Sequence, residues 1–203
     1  MLGRALDRQE PGDPVLGVER EPHCVSDSPA LTAGACKISS ADMVQLLIVY
    51  HSRTGGSRQM AEAAYTAARE EVNTTLRTAT DAKPEDLLAA DGYIFSAPEN
   101  LAAISGIMKD FFDRCYYPVL GRIEGRPYAQ MICAGSDGEN AARQTARIAK
   151  GWRLREVQKP LIVCTKAQTP EEILAQKTIT EPQLKLCREL GAAMGAGLNL
   201  GVF

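Results

Sequence analysis

Ser52, Thr54 and Ser57 place three hydroxyl groups within six residues, with Gly55 and Gly56 between them. Hydroxyls donate hydrogen bonds to an anion, and glycines let a backbone approach it closely. The chemistry this spacing suits is the holding of a phosphate ester; a plain tight turn is the competing reading. Arg53 and Arg58 could add charge to such a site or stand solvated beside it. The stretch lacks the Gly-Lys-Ser/Thr ending of a nucleoside-triphosphate loop and the G-x-G-x-x-G spacing of a dinucleotide fingerprint.

Two later stretches carry polar groups of the same kind. One is Ala97-Pro98-Glu99-Asn100, leading through Leu101, Ala102 and Ala103 to Ser105-Gly106; the other is Gly135-Ser136-Asp137-Gly138. Pro98 and Asn100 favour a turn, and Ser105 stands where it could cap the helix that follows. Ser136 and Glu139 have capping-box spacing, and Asp137 with Gly138 suits either an Asx turn or a ligand contact. His51 could act as a general acid, although a strand-end histidine with ordinary hydrogen bonds is the plainer reading. Tyr116 and Tyr117 edge either a site or a subunit contact, or pack at a helix end; Trp152 reads as core. Arg143 and Arg147, one turn apart, read as a solvated face, with a nucleotide phosphate as the alternative. No side chain is assigned a catalytic role, and no metal-ligand spacing is present.

Elements must bring these stretches together. Leu46–Tyr50 is a short apolar run of the kind a strand buried on both faces needs. Met60, Ala61, Ala64 and Ala68 follow at helical spacing, predicting a helix over about Ser57–Glu71. A strand, a Gly-rich turn and a helix aim unpaired N–H groups and the positive helix end at one spot. Thr74–Thr80 reads as an edge strand, Pro84-Glu85-Asp86 as a helix start, and Gly92–Ser96 as a central strand. A helix then carries Ile104, Met108, Phe111, Phe112 and Cys115 on one face and ends at Tyr116-Tyr117-Pro118. Tyr128–Ala134 and Pro160–Cys164 complete five strands, and Ala142, Thr145, Ala149 and Trp152 can face the sheet. Thr169-Pro170 and Thr180-Glu181-Pro182 each open a helix. Strands alternating with helices predict a three-layer, doubly wound, five-stranded parallel sheet of order 2-1-3-4-5. In that order the three polar stretches converge where the winding direction reverses.

Composition bounds the function. With 203 residues, 45% of them hydrophobic, one sizeable domain is expected. A formal charge of −2 gives no electrostatic case for nucleic acid. No apolar run approaches the roughly 18–20 residues of a membrane span. Six scattered cysteines, without C-x-x-C, read as reduced structural residues and suit a cytoplasmic location. Residues 1–42 are rich in proline and charge without apolar periodicity, a disorder composition that is neither a signal nor a transit peptide. The domain is expected to begin at Met43, a candidate natural start that makes the tail an extension.

From Met43 to Phe203 the chain resembles the flavodoxin-like superfamily, especially its NADPH-dependent FMN reductases and NAD(P)H:quinone oxidoreductases. The likeness rests on the S-x-T-G-x-S loop, on Ala97-Pro98-Glu99-Asn100 leading to Ser105-Gly106 and Lys109–Arg114, and on Gly135-Ser136-Asp137-Gly138. It implies FMN as cofactor, its phosphate held by Ser52, Arg53, Thr54, Gly55, Gly56 and Ser57. The other two stretches would flank the isoalloxazine ring, with backbone amides of Pro98-Glu99-Asn100 on its polar edge. It also implies NADH or NADPH as electron donor, a quinone or similar small-molecule acceptor, and a homo-oligomer, dimer or tetramer. Two departures stand out: Ala97 where the reductases often have Thr, and Ala102 and Ala103 where Gly or an aromatic is common. A ring face without an aromatic cover leans toward an enzyme; the alternatives are a single-electron carrier and a scaffold that has lost its flavin.

Overall fold

Leu46, Leu47, Ile48 and Val49 are all buried, as a strand covered on both faces requires. In the computed structural model, which describes residues 43–203, they form β1 (Gln45–Tyr50). The expectation for residues 1–42 lies outside the described residues. Leu46 and Ile48 pack against α1 (Gly56–Ala68) and α6 (Glu181–Asn199). Leu47 and Val49, one position out of phase, turn to the opposite face. There they meet α2 (Pro84–Ala89), α3 (Gly106–Val119) and α4 (Glu139–Gly151). Two helical layers thus enclose one sheet.

β2 (Asn73–Thr78) forms the edge, followed by β1, β3 (Gly92–Asn100) and β5 (Pro127–Ala134), all parallel. The fifth place is shared by β6 (Arg155–Glu156), against Pro127 and Tyr128, and β7 (Leu161–Cys164), against Met131 to Ala134. The predicted order 2-1-3-4-5 therefore holds, with its last strand interrupted before Pro160, which has no N–H to give the ladder. Boundaries shift for reasons of pairing. Asn73 is opposite Gln45 in the register, so α1 stops at Ala68 and not at Glu71 to leave room for the turn. β2 ends at Thr78, whose carbonyl accepts the Asp81 N–H in a tight turn. Tyr116 to Pro118 do not end α3; Pro118 sits in its last turn, where one lost bond costs least. Ile104 lies in a short strand before that helix.

Trp152 is buried in the core, and Ala142, Thr145 and Ala149 face the sheet. α1 and α6 approach closely at Gly191 and Gly195: a Cβ at Gly191 would lie 2.1 Å from the Ala64 carbonyl oxygen. α5 (Pro170–Leu174) begins with a formed capping box, the Glu172 N–H donating to Thr169 Oγ1 at 3.3 Å. No helix among the described residues is long and apolar enough to cross a membrane.

Candidate functional site

The first polar stretch is pinned from below. The His51 N–H donates to the Ser96 carbonyl at 3.0 Å, and Ser96 Oγ donates to the Ser57 carbonyl at 3.1 Å. Gly55 caps α1 with φ 85°, a conformation that favours glycine. Gly56 is held to glycine by packing, since a Cβ would meet Cys133 Sγ at 2.5 Å. The backbone thus lies against β5 at the start of a helix. Among the described residues, no backbone N–H from 53 to 58 donates to a protein acceptor. The hydroxyls of Ser52 and Ser57 are also buried without a partner. Buried polar groups are normally satisfied. A concave array of unpaired donors at the positive end of a helix can hold a phosphate.

The second stretch is not the loop that the sequence suggested. β3 continues through Ala97, Pro98, Glu99 and Asn100, turns at Leu101 and Ala102, and returns as β4 (Ala103–Ile104). Leu101 and Ala102 both have positive φ, 50° and 57°, the conformation of a tight hairpin, yet neither is glycine or asparagine. α4 braces this hairpin: Asn140 Nδ2 donates to the Ala102 carbonyl at 2.5 Å, and the Ile104 N–H donates to Gln144 Oε1 at 2.9 Å. Ala97 is buried in the core and does not reach the crevice. Ser105 occupies the N-cap position of α3, but its hydroxyl meets His51 Nδ1 at 2.9 Å and makes no side-chain cap bond. Burial holds the His51 pKa below its usual 6.5. Gly106 opens α3 with free space around it.

The third stretch turns from β5 into α4. The Lys166 N–H donates to the Gly135 carbonyl at 2.7 Å, tying it to the segment after β7. The expected capping box between Ser136 and Glu139 does not form, because Gly138, at φ 85°, is the N-cap. Asp137 Oδ1 instead accepts the Glu139 N–H at 3.3 Å, the Asx-turn reading. Glu99 Oε2 reaches across from β3 to accept the Gly138 N–H at 2.9 Å, while Oε1 is buried and unpartnered.

These pieces meet. Arg53, Thr54, Pro98, Glu99, Asn100 and Gly135 line one crevice at the C-terminal ends of the strands, and Ser136 borders its outer part. Arg58 is turned to the surface, 3.7 Å from Glu62. Tyr116 stacks on Trp152 and Tyr117 is exposed; Arg143 Nη2 donates to Asn140 Oδ1. The sequence reading missed the segment that closes the crevice. Ile173, Leu174 and Lys177 line it from α5 and the turn after it. The Lys177 N–H donates to the Thr54 carbonyl at 2.7 Å, and Gln59 clamps the turn through Lys177 O and the Ile179 N–H. Gln59, an amide on an otherwise alanine-rich helix, was the one hint in the sequence.

Residues 61–168, just over half of the chain, match the family described as NADPH-dependent FMN reductase. Over 98 residues the chain is 36% identical to a flavodoxin of Aquifex aeolicus strain VF5, covering 47% of this chain and 53% of that protein. The match thus spans about half the length of that relative. Among solved structures, a flavodoxin from the domain Archaea superposes with a TM-score of 0.62 at 18% identity, over 76% of this chain and 99% of that one. A WrbA-like flavodoxin from Agrobacterium tumefaciens gives 0.59 at 22% identity, over 77% and 98%. At these identities the structural likeness shows the fold.

Proposed function

The chain belongs to the NADPH-dependent FMN reductase family, and from that premise we propose that it is an FMN-holding oxidoreductase. In this reading NADH or NADPH is the donor and a quinone or similar small molecule the acceptor. The observation that carries it is the pair of buried, unpartnered hydroxyls, Ser52 and Ser57, beside the free amides of residues 53–58. That donor set fits a phosphate monoester. Bound FMN supplies the hydride and single-electron chemistry. The chain's own residues bind and orient: the first stretch takes the phosphate oxygens, and the positive end of α1 favours their charge. Glu99, Asn100, Gly135 and Ser136 border the space beyond. Among the described residues no aromatic side chain lines the crevice. Donor and acceptor can therefore use one open face in turn.

The second reading is a single-electron carrier, favoured by the identity with the Aquifex flavodoxin. The purified protein is expected to show flavin absorption and to release FMN on denaturation; a colourless protein that takes up no added FMN overturns both readings. Steady-state oxidation of NADPH with a benzoquinone then separates them. Turnover is expected, and bound FMN without turnover identifies the carrier. The dimer or tetramer belongs to the same proposal and is read by sedimentation equilibrium.

A further inference from the structure

α5 is fastened at both ends, yet none of its side chains is buried. At its front the Thr169 N–H donates to Glu172 Oε2 at 3.2 Å, and the Glu172 N–H returns to Thr169 Oγ1 at 3.3 Å. At its back Lys177 Nζ donates to the Glu172, Ile173 and Ala175 carbonyls, the last two at 3.0 and 2.7 Å. The Lys177 N–H and the Gln59 amide then tie the segment to the first polar stretch and to α1. A helix of five residues is too short to stand alone in water, so these polar bonds keep it in place without a core of its own. What the fastening presents is Ile173 and Leu174, 51% and 62% exposed at the crevice. Leu101, fully exposed, stands on the outer part of the crevice, which Ile173 also lines.

We propose that Ile173 and Leu174 select the electron acceptor, by binding the hydrocarbon arm of an alkyl- or prenyl-substituted quinone. This deepens the FMN oxidoreductase reading above and rests on it. Aliphatic side chains held in water gain only when apolar surface covers them. Neither side chain has a polar atom to offer a phosphate or the carbonyls of a quinone ring. A bare benzoquinone brings little hydrocarbon, whereas an arm beside the ring brings the surface that Ile173 and Leu174 lack. A protein partner fits less well. A stable interface takes about 20–30 residues a side; the large apolar residues here are three, and Arg53 and Glu99 set opposite charges among them. α5 also lies outside residues 61–168, the part of the chain that matches the family. The overall step is balanced by NADPH: its hydride and one proton from solvent convert the quinone to the hydroquinone, and the flavin begins and ends oxidised.

The test uses the FMN-loaded full chain and two probes with matched rings, 2-methyl- and 2-pentyl-1,4-benzoquinone. Each is read twice: as kcat/KM with NADPH, and as Kd for the oxidised protein without NADPH by equilibrium dialysis. A one-sided wall covering about half of the four extra methylenes, at about fourfold each, gives a preference for the pentyl probe of about tenfold. In Ile173→Ser with Leu174→Ser that preference is expected to fall to about twofold or less, through KM and Kd and not kcat. A preference that survives the double variant overturns the proposal. So does a wild type indifferent to the arm, which leaves the FMN reading standing; a protein that binds no FMN overturns both. A matching loss of FMN affinity would put the two side chains on the flavin, and self-association abolished by the variant would put a second copy on them; either result overturns the proposal. If the double variant does not fold, Leu174→Ser alone decides: a fall in the preference of about threefold is expected, and an unchanged preference sinks it.

Discussion

Ser57 is buried at the first turn of α1, and its hydroxyl finds no partner in the described chain. An unsatisfied buried hydroxyl costs stability, and replacing it by hydrogen is neutral or favourable. Ser57→Ala should therefore leave the melting temperature of the flavin-free protein unchanged or raise it, while weakening FMN binding about tenfold, the size of one hydrogen bond to a charged group. Riboflavin, which lacks the phosphate, should bind both proteins alike. A loss of stability, or an equal loss for both flavins, would show that the hydroxyl serves the fold. At this scale the sequence was readable where residue type narrows the chemistry: hydroxyls and glycines at S-x-T-G-x-S suit an anion cradle or a plain tight turn and little else. It was not readable where the role depends on a distant neighbour. Gly56 answers to Cys133, and the Glu99 carboxylate answers to Gly138, contacts that span the sheet.

The β3–β4 hairpin went unseen because Leu101 and Ala102 carry no turn chemistry. A two-residue hairpin turn with positive φ at both positions wants Asn-Gly, and side chains there cost about 1–2 kcal/mol each. The strain persists because Asn140 and Gln144 of α4 hold the hairpin from the side. Leu101→Asn with Ala102→Gly should relieve it and raise stability by about 1–2 kcal/mol in urea unfolding, after allowing for the extra freedom glycine gives the unfolded chain. An unchanged or lower midpoint would mean that the turn is not strained. The α1–α6 crossing was hidden for the opposite reason. Gly191 and Gly195 read as weak points in a helix, yet they set how closely two helices approach. At Gly191 a Cβ would also lie 2.7 Å from the Ala64 carbonyl carbon and 2.8 Å from its Cα, and backbone cannot give way. Gly191→Ala should destabilise by about 1–3 kcal/mol despite its gain in helix propensity. Gly106→Ala, with nothing within 4 Å, should be neutral or stabilising by up to about 1 kcal/mol. Equal effects at the two sites would discard the close-packing account.

The architecture of the whole molecule was legible because alternating strands and helices admit few windings, and two strands apolar on both faces have to be central. The interruption in its last strand was not, since Pro160 suits the first residue of a new strand as well as a break within one. What the folded molecule adds is a shared environment for groups that would otherwise titrate independently. Burial pushes the thiols of Cys115, Cys133 and Cys187 up to about 11 and the Tyr93 phenol up to about 12, and it raises Tyr128 as well. In the unfolded chain the thiols ionise near 9.0 and the phenols near 10.0. The folded state therefore holds protons that the unfolded state releases, and stability falls with rising pH wherever the folded state binds more protons. Below pH 9 this contribution is fully present; it is lost as pH climbs from 9 through 11 and 12. His51 works in the reverse sense. Its lowered pKa means the unfolded chain takes up a proton first, so stability declines as pH falls below 6.5. Thermal melting between pH 5 and 11 should thus show a plateau from about 7 to 8.5, a modest fall on the acid side, and a steeper one above 9, where each group adds up to about 1.4 kcal/mol per pH unit. Tyr93 sharpens the test, because its hydroxyl donates to the Leu87 carbonyl at 2.7 Å and accepts from Arg126 Nη1 at 3.0 Å. Tyr93→Phe removes the phenol from the alkaline limb and should flatten the fall between pH 10 and 12 while lowering the plateau. A melting temperature that stays level from pH 8 to 11 in the wild type would show that these groups are open to solvent, and with it that the two helical layers do not seal the sheet.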